Sequence, residues 1–190
     1  MNNEGEQSDS ELIAAYLKGD ERSLSILFGR HLNSAVIFAR GLVGANDAED
    51  AIQETFVKVW RNLKKFDQKK KFKTWLLTIA KNTCLDILRK KRPTVFSDFE
   101  NDEGENSFIE GLSDDAPLAP EITDSLLSAE KIRAALNELS PRNRVVVEMH
   151  YFDEMTLQEI ADVLGESVNT VKSRYRRALS TLKSQLKNAK

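Results

Sequence analysis

The sequence predicts an all-α protein: two small helical domains joined by a flexible acidic linker, the second containing a helix-turn-helix. Three observations carry this. Every stretch with sustained periodicity repeats its apolar residues at helical spacing, and none alternates as a strand would. Charge is segregated along the chain. Residues 1–93 hold 17 Lys/Arg against 12 Asp/Glu, residues 94–124 hold 10 acids and no base, and residues 125–190 hold 11 bases against 8 acids. Third, residues 156–178 have helix-turn-helix spacing: Ala161 is small where two helices cross, Gly165 falls at the turn where positive φ is needed, and Val171 docks the second helix on the first.

Each element follows from local signals. Ser8 with Glu11 forms a capping-box pattern, and Gly19 closes a short helix containing Leu12, Ile13, Tyr16 and Leu17. Asp20 starts a second helix carrying Leu24, Leu27, Phe28, Val36 and Phe38, which ends near Gly41–Gly44. Asn46 or Asp47 is expected to cap a third, with Ile52, Phe56, Val59 and Leu63 on its apolar face. A basic loop from Lys64 to Lys71 leads to a fourth helix, about Lys73 to Lys91, stopped by Pro93. Residues 94–124 are acidic, contain Pro117 and Pro120, and lack periodicity, the composition of a flexible linker. Helical pattern resumes near Ser125. Ser140-Pro141 reads as an N-cap with proline at the first helical position, before Val145, Val146, Val147 and Met149.

Composition excludes several classes. The chain has 190 residues and 41% hydrophobic content, which suits a globular protein. No apolar run reaches the roughly 20 residues of a membrane span. The acidic N-terminus does not resemble a signal peptide. Cys84 is the single cysteine, so no internal disulfide forms and a cytoplasmic location is expected. With His31 and His150 far apart in sequence, no structural zinc site is expected, and no cofactor.

Three constellations bear on function. On the second helix of the helix-turn-helix, Val171, Tyr175, Ala178, Leu179 and Leu182 share one face. Thr170, Ser173 and Arg177 lie opposite, with Lys172 and Arg176 beside them, and residues 168–190 hold seven Lys/Arg and no acid. Arginine reads guanine edges, while Lys, Ser and Thr position a helix on phosphates. Residues 58–92 hold 13 Lys/Arg against Asp67 and Asp86, interleaved with Trp60, Phe66, Phe72 and Trp75. Basic charge tracks a phosphate backbone, and aromatic faces stack on unpaired bases. Trp60 and Trp75 also fit the apolar helix faces and are expected in the core, whereas Phe66 and Phe72, at loop edges, suit either role. Finally, Asp50, Gln53, Glu54 and Val57 share a face opposite Ile52 and Phe56. Pattern alone favours a solvated surface there over a docking site.

These stretches resemble the compact extracytoplasmic-function (ECF) group of bacterial sigma factors. Asp50-Ala51-Ile52-Gln53-Glu54-Thr55-Phe56-Val57-Lys58-Val59-Trp60 is similar to the family's polymerase-binding helix. Phe72 to Thr83 is similar to its promoter-melting and −10-reading segment. Leu136 to Arg142 with Thr156–Ala178 is similar to its −35-reading domain. The resemblance covers residues 8–92 and 126–187, in order. It implies a region 2-like domain at 8–93, a connector at 94–124 and a region 4-like domain at 125–190.

The resemblance further implies that Asp50, Gln53 and Glu54, with Phe56 in support, contact core RNA polymerase. Phe66, Lys70, Lys71, Phe72 and Lys73 would form a pocket for a flipped base of the −10 strand, with Asn82 nearby. Thr170, Lys172, Ser173, Arg176 and Arg177 would contact −35 duplex DNA. Lys69, Lys70 and Lys71 make this loop richer in lysine than the family pattern, which bears on base preference. The implied protein is a non-enzymatic initiation subunit, monomeric before it joins polymerase, serving a stress or envelope response. It inserts in no membrane, carries no metal or cofactor, and is open to control by an anti-sigma factor. A free-standing activator or repressor would usually dimerise on a palindrome and would leave the acidic face at 50–54 without a role. A DNA-processing enzyme such as a recombinase would need a nucleophile in a catalytic cluster, and none is recognisable.

Overall fold

The computed structural model describes residues 7–91 and 134–188, and no strand occurs among them. The linker expected at 94–124 lies outside the described residues. The chain divides into two compact units, residues 1–87 and 88–190, each described by itself below.

In the first unit, α1 spans Asp9–Leu17 and opens with the expected capping box: Glu11 N–H donates to Ser8 Oγ at 3.3 Å, and Ser8 N–H donates to Glu11 Oε2 at 2.7 Å. Helix α2, Glu21–Val43, is capped by Asp20, whose carboxylate accepts from Arg22 N–H and from the Ser23 hydroxyl. Leu12 and Ile13 of α1 are buried with Leu27, Ala35, Phe38 and Ala39 of α2. A polar clasp joins the two helices at the rim. Arg30 and His31 each reach one oxygen of Asp9 at 2.7 Å. Burial works against the Asp9 charge, but the hydrogen bonds and positive charge of His31 and Arg30 outweigh it and hold the carboxyl below its ordinary range.

Helix α3, Ala45–Asn62, follows after a single residue. Gly44 ends α2 and begins α3 with φ at +81°, a conformation that favours glycine. The expected cap at Asn46 or Asp47 is therefore corrected: the helix already includes both, and no side chain caps it. Asp47 instead lies in the first turn, where an acid suits the helix dipole. The core-facing side of α3 is Ala48, Ala51, Ile52, Thr55 and Val59; the Thr55 hydroxyl, buried there, donates to the Ala51 carbonyl. A 3-10 turn, Leu63–Lys65, occupies the start of the expected loop. Helix α4, Phe72–Lys91, buries Phe72, Leu76, Leu77, Ala80, Thr83 and Cys84. Leu85 and Leu88 are only half-buried, because the buried face runs through Leu77, Ala80 and Cys84.

Cys84 is fully buried, and desolvation pushes its thiol up to about 12. The thiolate is the reactive species, so this cysteine is inert in the native state. Alkylation by iodoacetamide at pH 8 is expected only on unfolding, and rapid native-state labelling would refute that placement.

In the second unit, residues 134–137 are helical, followed by α5 (Pro141–Tyr151), α6 (Leu157–Leu164) and α7 (Val168–Asn188). Pro141 takes the first position of α5 as expected, although the Ser140 side chain makes no capping bond. Arg144 donates to the carbonyls of Asn137 and Leu139, tying the preceding turn to α5. All three helices pack on one another. Their core includes Val145, Val146, Met149, Ile160, Ala161, Val163, Val171, Ala178 and Leu182. His150 anchors the loop after α5: Nδ1 lies 2.7 Å from the Met155 carbonyl, and its ring meets Tyr175 edge-on at 4.7 Å.

Glu148 on α5 is an unfavourable member of this unit. Burial pushes its carboxyl up to about 7; Arg144 opposes the shift and Asp153 adds to it. The unfolded carboxyl titrates near 4.5. Between pH 4.5 and 7 the unfolded chain therefore holds fewer protons than the folded one, and stability falls as pH rises. Glu148→Gln is expected to flatten that slope and to raise the melting temperature above pH 7, by about 4–8 °C for each kcal/mol relieved in a domain this small. Thermal melts of the pair at pH 5 and pH 8 test it; an unchanged pH dependence would count against it.

Candidate functional site

Three surfaces carry the residues singled out by sequence. On α3, Asp50, Gln53 and Glu54 are exposed on the side away from Ile52, Thr55 and Val59. Phe56 is half-buried and packs on Phe28 with ring centroids 4.6 Å apart, so it braces the helix beneath those side chains. Lys58 lies one turn on: its ammonium sits 2.8 Å from Glu54 Oε1, donates to Thr83 Oγ1 at 3.1 Å and approaches Asp86. This lysine couples the acidic face to α4, a link invisible in the helical pattern of α3 alone.

The same face continues into exposed apolar surface. Val57 is 43% exposed and Trp60 51%. The expectation that Trp60 lies in the core is thus corrected. Its indole N–H donates to the Tyr16 hydroxyl at 2.7 Å, so the ring lies against the end of α1 with much of its surface in water. Position 60 falls one residue beyond Val59, rotated by about 100° from the buried face. Charged groups followed by an exposed tryptophan and valine make a surface suited to a partner more than to plain solvation.

The second surface is the loop between the 3-10 turn and α4. Asp67 shapes it: its side chain accepts from Lys69 N–H at 3.0 Å and its carbonyl from Lys70 N–H at 2.9 Å. Lys69, Lys70 and Lys71 are exposed, and Lys73 is half-exposed. Phe66 and Phe72 are buried, at 9% and 3% exposure. Of the two roles their position left open, burial gives them the packed one. Phe66, Phe72 and Trp75 contact one another with centroids 4.8 to 5.8 Å apart, and His31 closes on Phe72 at 5.2 Å. Apolar rings flanking a five-residue loop are better satisfied by one another than by water, and they become its floor. Asn82 is exposed on α4, ten residues beyond Phe72, about 15 Å along the helix axis. The loop and Asn82 are therefore not side by side on this unit.

The third surface is the outer side of α7. Thr156 and Glu159 form a capping box on α6, and Gly165 ends it in the left-handed conformation at φ +69°. Ser167, not singled out by sequence, caps α7: its hydroxyl accepts from Thr170 N–H at 3.1 Å and lies 2.8 Å from Thr170 Oγ1. Val171, Tyr175, Ala178, Leu179 and Leu182 are buried as expected. Thr170, Lys172, Ser173, Arg176 and Arg177 are all partly exposed. Arg174 is not on this surface; it is 5% exposed and paired with Glu166. Among the described residues, no cluster of His, Cys, Asp and Glu could hold a metal, and no helix is long and apolar enough to cross a membrane.

A basic helix-turn-helix unit, carried with an all-helical unit that displays an acidic-to-apolar face, defines a transcription protein that reads DNA. Comparison with known proteins narrows the class. The model for Sigma-70 region 2 matches residues 27–94, and that for Sigma-70 region 4 matches residues 129–182. The chain is 34% identical over 151 residues to the ECF RNA polymerase sigma factor SigW of Bacillus subtilis, covering 78% of this chain and 80% of SigW. It is 29% identical over 182 residues to the sigma factor CnrH of Cupriavidus metallidurans, 95% of each. Among solved structures, CnrH in complex with the cytosolic domain of CnrY superposes with TM-score 0.62 at 25% identity, covering 97% of this chain and all of that one. RpoE of Bartonella quintana with the anti-sigma factor NepR gives the same TM-score and identity, covering 87% of this chain and 98% of that one. The chain belongs to the ECF sigma factors of the sigma-70 family, the proteins that direct RNA polymerase to promoters and open them.

Proposed function

We propose that the two units divide the work of initiation, residues 8–93 holding polymerase and the −10 strand and residues 125–190 reading the −35 duplex. The observation that carries this is the separation of surfaces: the acidic and apolar face of α3 lies on one unit, the basic outer side of α7 on the other. On α3, Asp50, Gln53 and Glu54 engage polymerase, and Val57 and Trp60 extend the contact. The lysine loop, with Lys70, Lys71 and Lys73, takes the phosphates of the opened −10 strand over the floor of Phe66 and Phe72, and Asn82 meets a separate nucleotide. Lys172, Ser173, Arg176 and Arg177 enter the major groove, with Thr170 at a phosphate.

The chain catalyses no step itself. Captured bases offset an unstacking cost of a few kcal/mol, and two tethered modules raise specificity through effective concentration. It works in the cytoplasm as one copy per polymerase, in a stress or envelope response, and an anti-sigma protein holds it inactive, as CnrY and NepR are seen bound to the relatives. Run-off transcription from a promoter library randomised at both elements tests the reading. Transcripts that need both polymerase and this chain, with enriched sequence at both elements, support it. Tight duplex binding by the chain alone, with no polymerase-dependent transcript, would favour a free-standing regulator.

A further inference from the structure

Among the described Lys and Arg side chains of α7, Arg174 is the one withdrawn from solvent. On the helical wheel it falls between the buried face of Val171 and Ala178 and the outward face of Thr170 and Arg177. Its guanidinium Nη1 donates to Glu166 Oε1 at 2.9 Å, with Oε2 at the same distance. The side chains are 6% and 27% exposed. Glu166 sits in the turn of the helix-turn-helix, and its own N–H donates to the Ala161 carbonyl at 3.1 Å. The pair therefore runs from the end of α6, through the turn, to the second turn of α7.

We infer that Arg174 and Glu166 are positioning residues for −35 recognition: the pair fixes the rotation of α7 against the turn, and it neutralises an acid lying beside a DNA-facing surface. The inference rests on the assignment of α7 to the −35 duplex. Rotating α7 would misplace Ser173, Arg176 and Arg177 together, because all three ride on one rigid helix. Losing the arginine would also leave a partly buried carboxylate unpaired at the mouth of the interface, where it repels phosphate. Neither effect requires Arg174 to touch DNA.

The test uses the full chain with core RNA polymerase. A duplex is first selected by the wild-type holoenzyme from a pool randomised upstream of the melted region, and a scrambled duplex of equal length serves as its control. Arg174→Gln is expected to weaken binding to the selected duplex about tenfold, within the range of coupled neighbouring residues, and to change the scrambled duplex less than twofold. Adding Glu166→Gln to that variant should recover most of the loss. Glu166→Gln alone, which keeps an amide oxygen able to accept from Arg174, should lower the ratio of selected to scrambled binding about threefold. Equal loss on both duplexes without rescue would make Arg174 a direct phosphate contact and overturn the inference, as would a Glu166→Gln variant that binds both duplexes more tightly. Equal loss in step with a fallen melting temperature would reduce the pair to a fold-stabilising role. Failure of the wild type to select any duplex would instead sink the −35 assignment itself.

Discussion

Reversing Asp50 and Glu54 to arginine together is expected to abolish stable co-elution of this chain with core RNA polymerase. The change moves the exposed face of α3 from two negative charges to two positive ones. Truncating one partner of an interfacial charge pair costs about 2–5 kcal/mol, and juxtaposed like charges cost more. A loss of at least about a hundredfold in affinity follows. The fold should hardly notice. Both positions are exposed, and the Glu54–Lys58 pair joins partly exposed side chains, a class of contact worth roughly 0–1 kcal/mol. The melting temperature of the variant should therefore stay within a few degrees of the wild type. Retained co-elution at unchanged stability would show that polymerase docks elsewhere.

Ala161→Leu should produce the complementary defect. Ala161 is 2% exposed where α6 packs on α7, and its carbonyl accepts both Gly165 N–H and Glu166 N–H. Extra carbons have no space there. Overpacking of this kind costs about 1–3 kcal/mol, or a fall of about 4–8 °C per kcal/mol in so small a unit. The displaced helix is the one that carries Lys172, Ser173, Arg176 and Arg177. Footprinting should show −35 protection lost, while co-elution with polymerase, which we assign to the first unit, should persist. Loss of both activities together would mean that the second unit also anchors the chain to polymerase.

Much of the fold was legible because the signals were local. The Ser8–Glu11 box, Gly19, Gly165 and Pro141 each dictate a helix end within one turn of chain. The buried face of α7 followed from periodicity alone. The failures share a different cause: packing between elements decided them. Gly44 displaced Asn46 and Asp47 as the start of α3 because a one-residue turn leaves no space for a side-chain cap. Trp60 and Phe72 are both aromatic residues at helix ends, yet one is left in water and the other is covered by His31, Phe66 and Trp75. Arg174 reads as one more base on a basic helix, and only the placement of Glu166 turns it inward. Residue type announced that phosphate and a partner surface were involved, but which groups stay free to meet them is a property of the assembled core.

The placement of the two tryptophans makes the molecule its own optical reporter. Trp60 stands half in water on the α3 face, and Trp75 lies in the aromatic floor of the lysine loop; the second unit has none. Emission from Trp60 should shift to the blue as a partner covers α3, whereas quenching of Trp75 follows entry of a base over the loop. Single Trp→Phe variants separate the two signals, and occupation of α7 stays spectroscopically silent. The order of events in initiation, docking before strand capture or after it, is thereby open to stopped-flow measurement on the unlabelled chain.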